Sequence, residues 1–109
     1  MGNVEPKGNI LVIEDEKTTA EFVALVLIRA GYGVRLVNSR DDALKLIATY
    51  QYILLDYNML GMSAEQFLKE AETQIPLSKI VLMSATVDAA EAAKRLGLKN
   101  WIVKPFITC

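Results

Sequence analysis

Short apolar runs recur along the chain, each separated from the next by a stretch with helical spacing or by turn residues. The sharpest is Tyr52-Ile53-Leu54-Leu55, which rises to a single carboxylate, Asp56, and stops. A run of that length reads as a buried strand rather than a helix, which places Asp56 at the strand's carboxyl end. Asn9–Ile13, Val34–Val37, Lys79–Ser84 and Asn100–Lys104 predict four more strands, rich in β-branched and aliphatic residues. Between them, Thr18–Ala30 has no breaker and predicts a helix closed by Gly31. Ser39 caps a second helix from Arg40 to about Tyr50, with Ala43, Leu44, Ile47 and Ala48 facing inward. Ser63 caps a third, to about Thr73, buried through Phe67, Leu68 and Ala71, and Asp88–Leu96 is a fourth, closed by Gly97. The first helix is apolar nearly all round. Phe22, Val23, Val26, Leu27 and Ala30 fit one inward stripe, which leaves Ala24, Leu25 and Ile28 outward. Strands alternating with helices predict a doubly wound α/β fold, its parallel sheet covered on both faces. Right-handed crossovers leave few topologies, of which the flavodoxin-like order 2-1-3-4-5 is the expected one.

Composition narrows the function. The chain has 109 residues, 52% hydrophobic and 23% charged, enough for one domain with a real core. That domain is expected over residues 9–106, after a polar tail at residues 1–8. Twelve basic and 13 acidic residues give a net charge of -1, so there is no long-range electrostatic case for nucleic acid or an anionic membrane. No apolar run reaches the length of a membrane span, and the amino terminus does not look like a secretory signal. The single Cys109 excludes an internal disulfide and suits a reducing cytoplasm. The absence of histidine excludes histidine-based catalysis and His-ligated metals within the chain, leaving a hard, oxygen-bound cation.

The chemistry sits at the strand ends. In the expected order, strands one, three, four and five lie side by side, and their carboxyl ends carry Glu14-Asp15, Asp56, Ser84 and Lys104. Singly these are ordinary: acids open many helices, a serine ends many strands and a lysine suits any surface. Jointly, in register on one edge of a sheet, they point to a site. Three carboxylates brought together repel, and a divalent cation relieves them. Mg²⁺ suits a site with few protein carboxylates and several waters. With the Lys104 ammonium and the Ser84 hydroxyl beside it, such a carboxylate can receive a phosphoryl group.

Four pieces of the chain carry a resemblance: Ile10-Leu11-Val12-Ile13-Glu14-Asp15-Glu16, Leu54-Leu55-Asp56-Tyr57-Asn58-Met59, Met83-Ser84-Ala85 and Val103-Lys104-Pro105-Phe106. Over residues 9–106 the chain resembles the receiver domain of two-component response regulators. The resemblance implies a cytoplasmic signalling switch, not an enzyme, that takes a phosphoryl group from a histidine kinase or histidine phosphotransfer protein onto Asp56. Glu14, Asp15, Asp56 and the backbone carbonyl of Asn58 would hold Mg²⁺. Ser84 would be the switch hydroxyl, Trp101 the switch aromatic and Lys104 the phosphate-pairing lysine, aimed by a cis Lys104-Pro105 bond. Thr18, Thr19 and Phe22 would border partner docking, with Leu25 and Ile28 extending the interface. The alternative is a pseudo-receiver, a protein-binding scaffold that is never phosphorylated. An aspartyl phosphatase or phosphotransferase is disfavoured, because Asn58 stands where a second acid would be needed.

The sequence also departs from the family's pattern. Leu60 replaces a common proline, Trp101 is bulkier than the usual tyrosine or phenylalanine, and the stretch from Ser84 to Lys104 is short. After Phe106 only Ile107, Thr108 and Cys109 remain, less than a helical turn, so the usual fifth helix is expected to be missing. The sheet face it would cover is expected to pair with a second copy, a two-fold homodimer through strands four and five and the outer side of the first helix.

Overall fold

The computed structural model of the chain describes residues 7–58, 63–84 and 89–103. Five strands form one sheet: β1 (Asn9–Ile13), β2 (Gly33–Val37), β3 (Tyr52–Asp56), β4 (Ile80–Ser84) and β5 (Asn100–Val103). All pairings are parallel, in the order β2-β1-β3-β4-β5, the flavodoxin-like order expected from the pattern. The helices are α1 (Lys17–Arg29), α2 (Arg40–Leu46), α3 (Ala64–Ala71) and α4 (Ala89–Leu96).

Strand alternation sorts the core into two layers. Leu11, Ile13, Ile53, Leu55, Ile80 and Leu82 point to one face and pack with Ala43, Ile47, Phe67, Leu68, Ala71, Ala92 and Ala93, so α2, α3 and α4 share that side. Ile10, Val12, Leu54 and Met83 point to the other and pack with Val23 and Leu27 of α1. Both faces of the central strands are dry, which is why those strands read as unbroken apolar runs.

The helix ends follow local chemistry. The Ser39 hydroxyl accepts from the Asp42 amide at 3.2 Å and Ser63 from the Gln66 amide at 3.3 Å, the two caps expected. Gly31 and Gly97 adopt φ of 104° and 80°, the left-handed region that closes a helix and that a Cβ disfavours. At the amino edge, the Lys7 amide donates to the Gly31 carbonyl at 2.8 Å and the Gly33 amide to the Gly8 carbonyl at 2.9 Å.

Three expectations need correction. The second helix does not run as one piece to Tyr50. It ends at Leu46 and tightens into a 3₁₀ turn over Ile47–Thr49. The tighter turn rotates Ala48 outward, so Ala48 is exposed while Ala43 and Ile47 are buried. The third helix stops at Ala71, and the Thr73 hydroxyl donates back to the Glu70 carbonyl at 2.7 Å.

The larger correction concerns α1. Ala20 and Val23 are buried and Ala24 and Leu27 half-buried, whereas Phe22 and Val26 are 42% and 47% exposed and Ala30 is exposed too. The flank bearing Lys17 and Glu21 lines a cleft with Arg35 and Leu36 of β2. At 3.6 residues per turn the opposite flank carries Phe22 and Val26, past the helix's line of contact with β1 and β2. Leu25 and Ile28 are exposed as expected. All four residues of β5 are exposed, at the edge of the sheet.

Phe67 lies fully buried between α3 and the sheet. Phe67→Ala is expected to cost about 3–5 kcal/mol, against at most about 0.5 kcal/mol for the exposed Leu25→Ala, measured by urea unfolding.

Candidate functional site

The sheet's carboxyl edge gathers the polar residues named above. Glu14 follows β1 directly, and its amide extends the ladder by donating to the Val37 carbonyl at 3.1 Å. Asp56 and Ser84 are the last residues of β3 and β4. Glu14, Asp56 and Ser84 are only 3%, 4% and 1% exposed, while Asp15 is half-buried. One carboxylate oxygen from each of Glu14, Asp15 and Asp56 lies within 4.8 Å of the others. Such a set of hard oxygen donors, carrying three formal negative charges on a buried edge, fits a divalent cation. The Glu16 amide donates to Glu14 Oε2 at 3.2 Å, fixing one of the carboxylates.

Ser84 and Trp101 share a sheet face. Ser84 pairs with Val103 and Leu82 with Trp101, and residues aligned in a parallel ladder point the same way. Trp101 is 45% exposed at the sheet edge. Asn58 lies in the exposed turn after β3. Lys104, Pro105 and their peptide bond, with Leu60 and Phe106, lie outside the described residues. Thr18, Thr19 and Phe22 occupy the first turns of α1, at this edge of the sheet, whereas Leu25 and Ile28 lie farther along the helix. A cleft of about 610 Å³ opens beside the acids between α1, β2 and α2, with Lys17, Arg35 and Lys45 among its walls.

A family described as the response regulator receiver domain matches residues 10–108. The chain belongs to that family. It is 33% identical over 103 residues to the response regulator protein FleR of Pseudomonas aeruginosa, covering 91% of this chain and 22% of FleR. It is 35% identical over 102 residues to the transcriptional regulatory protein DltR of Streptococcus agalactiae, covering 89% and 45%. Among solved structures it is similar to the response regulator TrrA of Thermotoga maritima in complex with Mg²⁺-BeF. That match has 26% identity and a TM-score of 0.77, over 91% of this chain and 88% of TrrA. The chain therefore spans less than half the length of these two curated relatives. No helix among the described residues is long and apolar enough to cross a membrane.

Two features of this receiver domain escaped the sequence reading. The Glu16 carboxylate caps α1, accepting from the Thr19 amide at 2.6 Å. No residue signature marks it, because glutamate is not among the preferred caps and Thr19 is not the Glu or Gln of a capping box. The second is Arg95 of α4, which donates to the Tyr57 hydroxyl and stands 5.8 Å from the centre of its ring. The residues are 38 positions apart, and no local pattern links them.

The acid cluster generates a test. In chelator, Asp15→Asn is expected to raise stability, because it removes one of three clustered charges whose mutual repulsion at this buried edge is on the order of 1–4 kcal/mol. With wild type, a divalent cation at a hundredfold excess over its Kd should add about 2.7 kcal/mol. Asp15→Asn should lose most of that gain. Thermal unfolding with and without Mg²⁺ measures both effects.

Proposed function

We propose that Asp56 is the phosphoacceptor of this receiver domain. One oxygen of the Asp56 carboxylate attacks the phosphorus of a phosphohistidine on a histidine kinase or histidine phosphotransfer protein. The O–P bond forms as the N–P bond breaks, and its electron pair returns to the imidazole nitrogen. Glu14, Asp15, Asp56 and the Asn58 carbonyl would hold Mg²⁺, which when bound supplies positive charge against the phosphoryl oxygens. Ser84 donates a hydrogen bond to one phosphoryl oxygen and Lys104 pairs with another. The acyl phosphate adds charge and acceptor oxygens, and the packing that best satisfies them becomes the populated one. Trp101 follows Ser84 in that change.

The observation that supports this most is the convergence of three carboxylates beside a buried serine at neighbouring strand ends. Incubation with acetyl phosphate and Mg²⁺ is expected to raise the intact mass by one phosphoryl group. Asp56→Asn and chelator should each abolish the rise. Normal labelling of Asp56→Asn overturns the assignment, and no labelling of wild type favours the pseudo-receiver.

A second copy of the chain is the proposed cover for the apolar surface shared by α1 and the far strands. Phe22, Val26, Tyr52 and Ile102 are exposed there and Val81 is half-buried. Each such side chain fully buried is worth on the order of 1.5–3 kcal/mol, and a two-fold pair lets one patch cover itself. Sedimentation at micromolar concentration is expected to show a dimer, weakened by Val26→Glu.

A further inference from the structure

Tyr57 follows Asp56 without a break. Its amide donates to the Met83 carbonyl at 2.9 Å, carrying the β3–β4 ladder one residue past the phosphoacceptor position. Alternation then turns the Tyr57 side chain away from Asp56 and toward the α3–α4 face, where it is half-buried against the larger core layer. Arg95 meets it there. The guanidinium donates to the phenol oxygen, with its central carbon 5.8 Å from the ring centre. One side chain thus makes a charge-assisted hydrogen bond with the residue next to the reacting carboxylate.

This contact matters because α4 is otherwise held lightly. Its fully buried side chains are Ala89, Ala92 and Ala93, each a single methyl, with Leu96 half-buried against the core, whereas α3 buries Phe67 and Leu68. Buried apolar area scales with side-chain size, so α4 has the smaller apolar anchor. It is also the element placed between the two switch residues, since it follows Ser84 and precedes Trp101 in the chain. A change at either end bears on α4. Among the described residues, Glu65 at the start of α3 also faces Arg95. Its carboxyl is held below its usual range first by the Glu65 backbone amide, then by the Ser63 hydroxyl, and in smaller part by the Arg95 charge. Glu65 is fully exposed, so its attraction for Arg95 is screened by water.

We propose that the Tyr57–Arg95 pair is a tether that restrains α4 in the unphosphorylated packing, so that switching works against it. This rests on the reading of Asp56 as phosphoacceptor. Tyr57 and Arg95 are positioning residues: they fix how readily α4 follows Ser84 and Trp101, and they do not touch the transferred group. A receiver that loses the tether keeps its fold and shifts its unphosphorylated population toward the switched packing.

The test uses the full chain as wild type, Tyr57→Phe, Arg95→Gln and Arg95→Lys, each with and without acetyl phosphate and Mg²⁺. Hydrogen exchange follows α4 against β1 and β3, the fluorescence of the single Trp101 follows the switch, and intact mass gives the labelled fraction at which variants are compared. In the unlabelled Tyr57→Phe and Arg95→Gln proteins, exchange over Ala89–Leu96 is expected to rise on the order of threefold to tenfold. The Trp101 signal should move toward its phosphorylated value, with β1 and β3 unchanged. Arg95→Lys, which keeps a charged donor near the phenol oxygen, should restore part of the difference. Unchanged α4 exchange overturns the tether. So does exchange rising equally in β1 and β3, which marks a loss of global stability. A variant that is labelled but keeps the Trp101 signal of the unlabelled wild type also overturns it, because the pair would then transmit the change instead of restraining it. Failure of wild type to be labelled, with α4 exchange still faster in the variants, refutes the phosphoacceptor reading and supports the restraint on α4.

Discussion

Lateral hydrogen bonding of parallel strands in one fixed register is the constraint on which the rest depends. In a parallel ladder the strands run the same way, so their carboxyl ends finish along one edge. Ile13 pairs with Leu55 and Asp56 with Met83, which brings the residues ending β1, β3 and β4 side by side. A slip of one residue in any of these strands would turn Asp56 or Ser84 to the opposite face and scatter the cluster. The site is thus a by-product of sheet register, and that register is enforced by aliphatic side chains packed on both faces.

The same arrangement sets an energetic tension. Carboxylates on a buried edge lose hydration and repel one another, and neither effect favours folding. The domain tolerates this because the surrounding core is fully dry: Leu11, Val12, Ile13, Ile53, Leu55, Ile80, Leu82 and Met83 are inaccessible to solvent. Stability held in the strands offsets a strained charge arrangement at their ends, the usual trade at a functional site. A bound cation or an incoming phosphoryl group can then act on groups that folding alone has already positioned.

The helices are anchored unequally, and this divides the domain into rigid and responsive parts. α3 drives Phe67 into the core and is joined to α2, where Arg40 pairs with Glu70 and the Gln74 side chain donates to the Leu44 carbonyl at 3.2 Å. α4 buries three alanines and packs a half-buried Leu96 against the core. α1 presents one dry stripe to the sheet and an exposed apolar flank elsewhere. The firmly held elements lie over the centre of the sheet, and the lightly held ones border the residues through which a partner or a switch would act.

The sequence by itself determined the strands, their order and where most of the candidate site residues fall. Five short apolar runs with helical spacing between them admit few topologies, and Glu14, Asp15, Asp56 and Ser84 each stand where a run stops, a purely local signal. Caps at Ser39 and Ser63 and closures at Gly31 and Gly97 were legible for the same reason, since each depends on neighbours within a turn. Tertiary structure decided which side of α1 is dry. The helix is apolar nearly all round, so its own periodicity cannot choose a face, and its seat over β1 and β2 buried Ala20 and Val23 while leaving Phe22 and Val26 in water. It also decided the Tyr57–Arg95 contact, which joins residues 38 apart through the packing of α4 beside β3 and leaves no periodic trace in the chain. Local pattern fixes what each segment becomes. Contacts between segments depend on how the whole sheet and its covering helices are assembled.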